Sequence, residues 1–270
     1  MNNLLPRALP ILLIVCAEIL PAQWPKRIKP NAPKNPDGSV DLTAPAPRMA
    51  DGKPDLSGIW SPEFPKPATK GSNAADLGPS TSQFFNIGIS FKDGLPFTPF
   101  GADLRQRRMA NQSTDNPDAH CLPLGVGQVL NISLHKFVQT PDQIVLLYEG
   151  ASREIFTDGR PLPDNDPQPL FWGYSVGKWD GDTLVVQTIG FRDDGWLDVQ
   201  GSPLTEQGKV TERFHRVDYG HMDTEFTVDD PKAYTKPWTV HVSNRLLVGE
   251  ELLEFVCNDN EKDAGHYKVK

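Results

Sequence analysis

The sequence predicts an all-β protein, an antiparallel up-and-down barrel with one short helix and an extended N-terminal segment. A two-sheet β-sandwich is the alternative. Three observations predict it. From Val129 to the end, short apolar runs follow one another without helical spacing. Several of these runs alternate apolar and polar residues: Met222, Thr224, Phe226 and Val228 share a side, as do Trp238, Val240 and Val242, while Asp223, Glu225, His241 and Ser243 fall opposite. Neighbouring runs are joined by connections too short for a parallel crossover, at Thr140-Pro141-Asp142, Asp180-Gly181-Asp182 and Tyr219-Gly220-His221. A meander of eight to ten such strands must close or pair with a second sheet, because free edges invite aggregation.

The chain begins with export chemistry. Arg7 precedes an apolar run from Ala8 to Ala17, and Leu20-Pro21-Ala22 offers a small residue at a cleavage point before Gln23. Residues 1–22 therefore read as a signal peptide, and the protein as exported to the periplasm or beyond the cell. A bilayer span needs roughly 20 apolar residues; this run is shorter and is followed by Glu18. A buried core helix is the alternative. Val15 before Cys16 is too bulky for a lipoprotein site. Once Cys16 is removed, Cys121 and Cys257 remain, and two cysteines in an exported chain are most simply one disulfide. It would tie the front of the domain to its last strand; two unpaired thiols are the alternative.

Residues 23–54 are rich in Pro, Lys, Asn and Asp and read as an extended, partly disordered lead; residues 61–80 have a similar character. Residues 55–270 read as a single barrel domain. Asp55-Leu56-Ser57-Gly58-Ile59-Trp60 opens its first strand. Gln83–Phe91 has strand character. Gly101–Ala110 is the one persuasive helix, capped by Thr98 or Gly101. Residues 111–127 form a polar loop, and Gly125-Val126-Gly127 stands in it before a strand, so it is no dinucleotide fingerprint. Strands follow over Val129–Gln139, Gln143–Glu149, Arg153–Thr157, Gly173–Trp179, Thr183–Phe191, Lys209–Asp218, Met222–Val228, Trp238–Leu247 and Leu252–Cys257. The 26 prolines and 22 glycines lie between these runs as turn punctuation. The net charge is −8 with no Lys/Arg block, which excludes a basic nucleic-acid surface.

Ser57-Gly58-Ile59-Trp60 resembles the Gly-x-Trp start of lipocalin and avidin-type barrels, where the Trp closes the barrel bottom. A wider resemblance rests on Asp55–Trp60, Cys121–Gly125, Thr157–Pro163, Trp179–Val186, Thr211–Phe214 and Asp229–Trp238. These segments are similar to a group of exported bacterial proteins of unknown function. That resemblance implies export and one domain, and it lends no catalytic residues to this chain.

The candidate site residues come from five places. Arg153-Glu154 and Thr157-Asp158-Gly159-Arg160 end a strand; Arg160 could grip an anion and Asp158 orient it, or Asp158 is only a turn residue. Trp172, Tyr174 and Trp196, with Phe171 and Trp179, could wall a pocket for a ring-bearing ligand, or simply plug the core. Glu212 shares a strand face with Val210 and Phe214; turned inward, it is a carboxylate inside the barrel whose pKa burial would raise, or one half of a structural ion pair. The histidines lack ligand spacing, and no metal or cofactor is expected. Asp229–Trp238 could cover a barrel mouth, or pack as a structural loop.

The resulting expectation is a binding protein for a small amphipathic or aromatic molecule. Trp172, Tyr174 and Trp196 would form its apolar wall, and Arg160 and Glu212 its polar contacts. The rivals are a cofactor-independent acid–base enzyme (hydrolase, isomerase or cyclase) using Glu212 with Asp158 or His135, and a structural cell-envelope protein. The partners expected are a small-molecule ligand, with neither nucleic acid nor a membrane span after cleavage.

Overall fold

The computed structural model describes residues 31–63, 83, 85–130, 134–163 and 168–257. The predicted signal peptide, the start of the lead and most of residues 61–80 lie outside the described residues.

Nine strands close into a barrel. In chain order the elements are β1 (Gly58–Pro62), α1 (Pro99–Ala110), a 3-10 turn (Pro117–His120), α2 (Gly125–Val129), β2 (His135–Gln139), β3 (Gln143–Leu147), β4 (Ser152–Phe156), β5 (Tyr174–Asp180), β6 (Thr183–Ile189), β7 (Gly195–Trp196), β8 (Pro203–Leu204), β9 (Lys209–Arg216), β10 (His221–Asp229) and β11 (Trp238–Leu246). Around the barrel the order is β1-β11-β10-β9-β6-β5-β4-β3-β2, with β7 and β8 set aside as a separate two-stranded ribbon.

The meander holds with one exception: β4 and β5 run parallel. Closure demands it. Strand direction must return to itself around a ring, so nine strands cannot all oppose both neighbours. The connection between these two strands, residues 157–173, has the length a parallel pair requires. The three tight turns do join antiparallel pairs, β2–β3, β5–β6 and β9–β10, and Gly181 takes the positive φ of 59° that its turn needs.

Four expectations about elements are corrected. Residues 87–90 are turns, not strand; Asn86 accepts from the Gly88 amide at 3.1 Å, and the amides of Ile89 and Phe91 reach back three residues. The strand expected from Val129 starts at His135, because Gly125-Val126-Gly127 forms the single turn of α2 instead of a loop. Gly127 permits this: a Cβ there would stand 2.7 Å from the Leu197 Cα. Leu252–Cys257 is not a strand. The pairing of β1 with β11 has already closed the barrel and left no edge to join, so this stretch makes one described backbone bond, Phe255 N–H to the Glu149 carbonyl at 3.2 Å. Cys257 nonetheless bonds Cys121, with the two Cα atoms 5.7 Å apart, and the disulfide thus pins a strap rather than a strand. The short β7–β8 ribbon was not expected.

Thr98 caps α1, its hydroxyl accepting from the Gly101 amide at 3.1 Å. The described part of the lead is fastened to the barrel: the Leu42 and Ala44 carbonyls accept from Gly220 and Tyr219, each at 2.7 Å, and Arg48 pairs with Asp182 at 2.6 Å. Asp229–Trp238 packs as a structural loop over one barrel end, where Tyr234 is buried and bonds the Pro203 carbonyl at 2.8 Å.

Alternation gives the barrel an apolar interior in two halves. One cluster gathers Val210, Phe226, Val228, Trp238, Val240 and Val242 under the helices and loops. The other gathers Trp60, Phe137, Ile155, Leu184, Phe214 and Leu246. A fully buried side chain of this kind contributes about 1.5–3 kcal/mol. Trp60 closes the second half: its Nε1 donates to the Leu56 carbonyl at 2.9 Å, and the Arg216 guanidinium lies 5.0 Å over its ring while bonding the Asp55 and Tyr219 carbonyls.

Candidate functional site

Between the two apolar halves runs a belt of polar side chains. On three strands the inward row sets a polar residue at the barrel's waist between two apolar ones. On β9 Glu212 stands between Val210 and Phe214; on β10 Thr224 stands between Met222 and Phe226; on β11 Asn244 stands between Val242 and Leu246. His135 on β2, Arg153 on β4, Ser175 on β5 and Thr188 on β6 occupy the matching places, with Tyr148 just past the end of β3. Only β1 supplies a non-polar residue, Pro62. All of these except Tyr148, which is half-buried, are buried.

Arg153 organises one side of the belt. Its Nη1 and Nη2 donate to the two oxygens of Glu212 at 3.0 and 2.5 Å, Nη2 also to the Thr188 hydroxyl at 2.9 Å, and Nε to the Ser175 hydroxyl at 3.1 Å. The Ser175 and Thr188 hydroxyls bond each other at 3.0 Å. Burial acts to lower the Arg153 pKa, but the Glu212 carboxylate outweighs it and holds the guanidinium above its usual value. Burial pushes the Tyr148 hydroxyl up. Tyr148 carries the network outward: its ring stacks on Trp172, with centroids 5.0 Å apart and planes within 10°, and lies 6.2 Å from the His135 ring. On the opposite side Asn244 Nδ2 donates to the Thr224 hydroxyl at 3.1 Å.

The structure brings Glu212, His135 and Trp172 to this belt and its margin, and places the other predicted site residues elsewhere. Asp158 and Arg160 sit outside the barrel, joined by a bidentate ion pair as short as 2.6 Å. Hydrogen bonds from Arg160 hold the Asp158 carboxyl below its usual pKa. Arg160 also donates to the Tyr174 hydroxyl at 3.1 Å and covers Phe156 at 3.9 Å; Tyr174 points outward because Ser175, next to it, points in. Trp196 is buried under the Arg108 guanidinium, 4.6 Å away, in the end cover. It borders a cavity of about 10 Å³, room for roughly one water. A larger hollow of about 540 Å³ lies on the outer face, among Arg213, His215, Asp223, Glu225 and His241. Neither cavity is inside the barrel. Among the described residues no group of three or more His, Cys, Asp or Glu is arranged to hold a metal ion, and no helix is long and apolar enough to cross a membrane.

Sequence reasoning missed Tyr148, Ser175, Thr188 and Asn244 as members of one set. Parity carried the signal for Asn244, which stands between apolar residues in Val242-x-Asn244-x-Leu246, and in part for Tyr148 and Thr188, which have Leu146 and Val186 two places before them; Ser175, between Gly173 and Gly177, gave none. No family model matches this chain, and no curated protein matches it significantly.

Proposed function

We propose that this protein is an exported binding protein for a small amphipathic or aromatic molecule, held inside the barrel at the polar belt. The observation that carries this reading is the belt itself. A barrel interior serving only stability is best filled with apolar side chains, because each buried polar group costs free energy unless fully bonded and a buried charge costs more. Here seven of the nine strands, with Tyr148 just past the end of an eighth, turn a polar side chain inward at one level, between apolar clusters. The Tyr148–Trp172 stack, half-buried, is the shallowest part of that level and supplies the aromatic wall. Side chains close over the belt, so a ligand enters by moving them apart. The disulfide supports export, since such bonds persist in oxidising compartments.

Binding is favoured over acid–base catalysis for a specific reason. Both oxygens of Glu212 are engaged by Arg153, so neither is turned toward a substrate proton. Native mass spectrometry of the exported protein, followed by extraction, tests the proposal. The expected result is a co-purifying small molecule, released on unfolding, whose affinity changes only modestly in Glu212→Gln. A protein that carries and rebinds nothing from its own extracts would overturn it. A Glu212→Gln variant that binds normally but loses turnover by orders of magnitude would replace binding with catalysis.

A further inference from the structure

Asn244 is 2% exposed and faces the barrel interior from β11. Its Nδ2 is bonded to Thr224, with the Met222 and Val242 carbonyls at 3.4 Å, but its Oδ1 has no hydrogen-bond partner among the described residues. A buried carbonyl oxygen left without a donor is costly, and is met in folded proteins by water or by a ligand. The rest of the belt defines what that ligand can be. Arg153 and Glu212 cancel each other's charge, and the Arg153 donors are already directed at Glu212, Thr188 and Ser175. An anion would find no free cation there, and a cation no free carboxylate; either would be buried unpaired.

Resting on the reading of the barrel as a binding protein, we infer that its ligand is uncharged and donates an O–H or N–H to Asn244 Oδ1. The ligand class is thus a neutral hydrogen-bond donor, for which a phenol serves as probe, rather than a carboxylate or an amine.

Four probes of similar size separate the possibilities: phenol, anisole, benzoate and benzylammonium, each titrated into the full exported protein by ligand-observed NMR. Phenol should bind about tenfold tighter than anisole, which has the same ring and no donor, and tighter than either ion. Asn244→Leu should erase the preference of phenol over anisole, while Asn244→Asp, which keeps an acceptor oxygen, should retain it. If Asn244→Leu does not fold, the phenol-to-anisole ratio of the unaltered protein decides alone. Anisole binding as well as phenol, as when Asn244 is satisfied by a water, overturns the inference, as does tighter binding of benzoate or benzylammonium; each leaves the binding reading standing. If none of the four binds, the interior is not a site for such molecules, and the binding reading falls with the inference.

Discussion

Arg153 and Glu212 meet across the barrel interior, from strands β4 and β9 that have β5 and β6 between them, with the closest approach 2.5 Å. Neither is open to water. Their bidentate geometry fixes the relative placement of four strands, because the same guanidinium also holds Ser175 on β5 and Thr188 on β6.

Breaking this pair from one side should be worse than removing it. Arg153→Met leaves the Glu212 carboxylate buried and unpaired, at an expected loss of roughly 3–5 kcal/mol. The double variant Arg153→Met, Glu212→Met replaces both groups with apolar ones of similar reach and should recover most of that loss. Urea titration of the two single variants and the double one gives the coupling directly. A single variant no less stable than the double would show that the pair is not desolvated in solution.

The Cys121–Cys257 bond closes a span of 136 residues. The strap it holds contains Leu253, Phe255 and Val256, all more than half exposed, and makes little other described contact with the barrel. Cys121→Ser with Cys257→Ser should therefore lower stability by about 2–4 kcal/mol, through the unfolded chain rather than through lost packing. Hydrogen exchange should speed up over residues 251–257 while the β9–β11 ladders keep their protection relative to global stability. Loss of protection in those ladders beyond the global change would mean that the strap is part of the barrel wall.

The barrel was legible because its signals are local. Asp180-Gly181-Asp182 sets a turn within its own residues, and the alternation of β10 and β11 reports one wet and one dry face without knowledge of their partners. Burial of Glu212 followed from the same parity. The features that were not legible depend on closure. Leu252–Cys257 has strand chemistry and no edge to join, and the parallel pairing of β4 with β5 follows from an odd strand count that no single segment reveals. Trp172, Tyr174 and Trp196 are alike in type and lie near one another in sequence, yet one flanks the belt, one faces outward and one lies in the end cover. Trp172 and Tyr174 have the same parity, so alternation alone would set them on one side; they part because β5 begins only at Tyr174 and Trp172 lies in the connection before it, and Trp196 belongs to a ribbon outside the barrel altogether.

Asp198 gives the fold a pH dependence whose sign can be stated. Its carboxylate is fully buried and accepts from the Ile87 amide at 2.9 Å, the Ser202 amide at 2.9 Å and the Ser202 hydroxyl at 2.7 Å, joining the 85–91 turns to the β7–β8 ribbon. Burial outweighs these donors and raises its pKa above the usual 3.8. The folded protein therefore keeps the Asp198 proton to a higher pH than the unfolded chain does. The stabilisation from this proton is fully present below 3.8, and is lost as pH rises through the raised folded value. Asp198→Asn cannot titrate, so the stability of the unaltered protein relative to this variant should be greatest at the acid end and fall as pH rises. Urea midpoints of both proteins from acid to neutral pH measure that difference. A difference that grows with pH would mean that the three donors, not burial, govern the group, and that Asp198 is held in the fold as a stabilised anion.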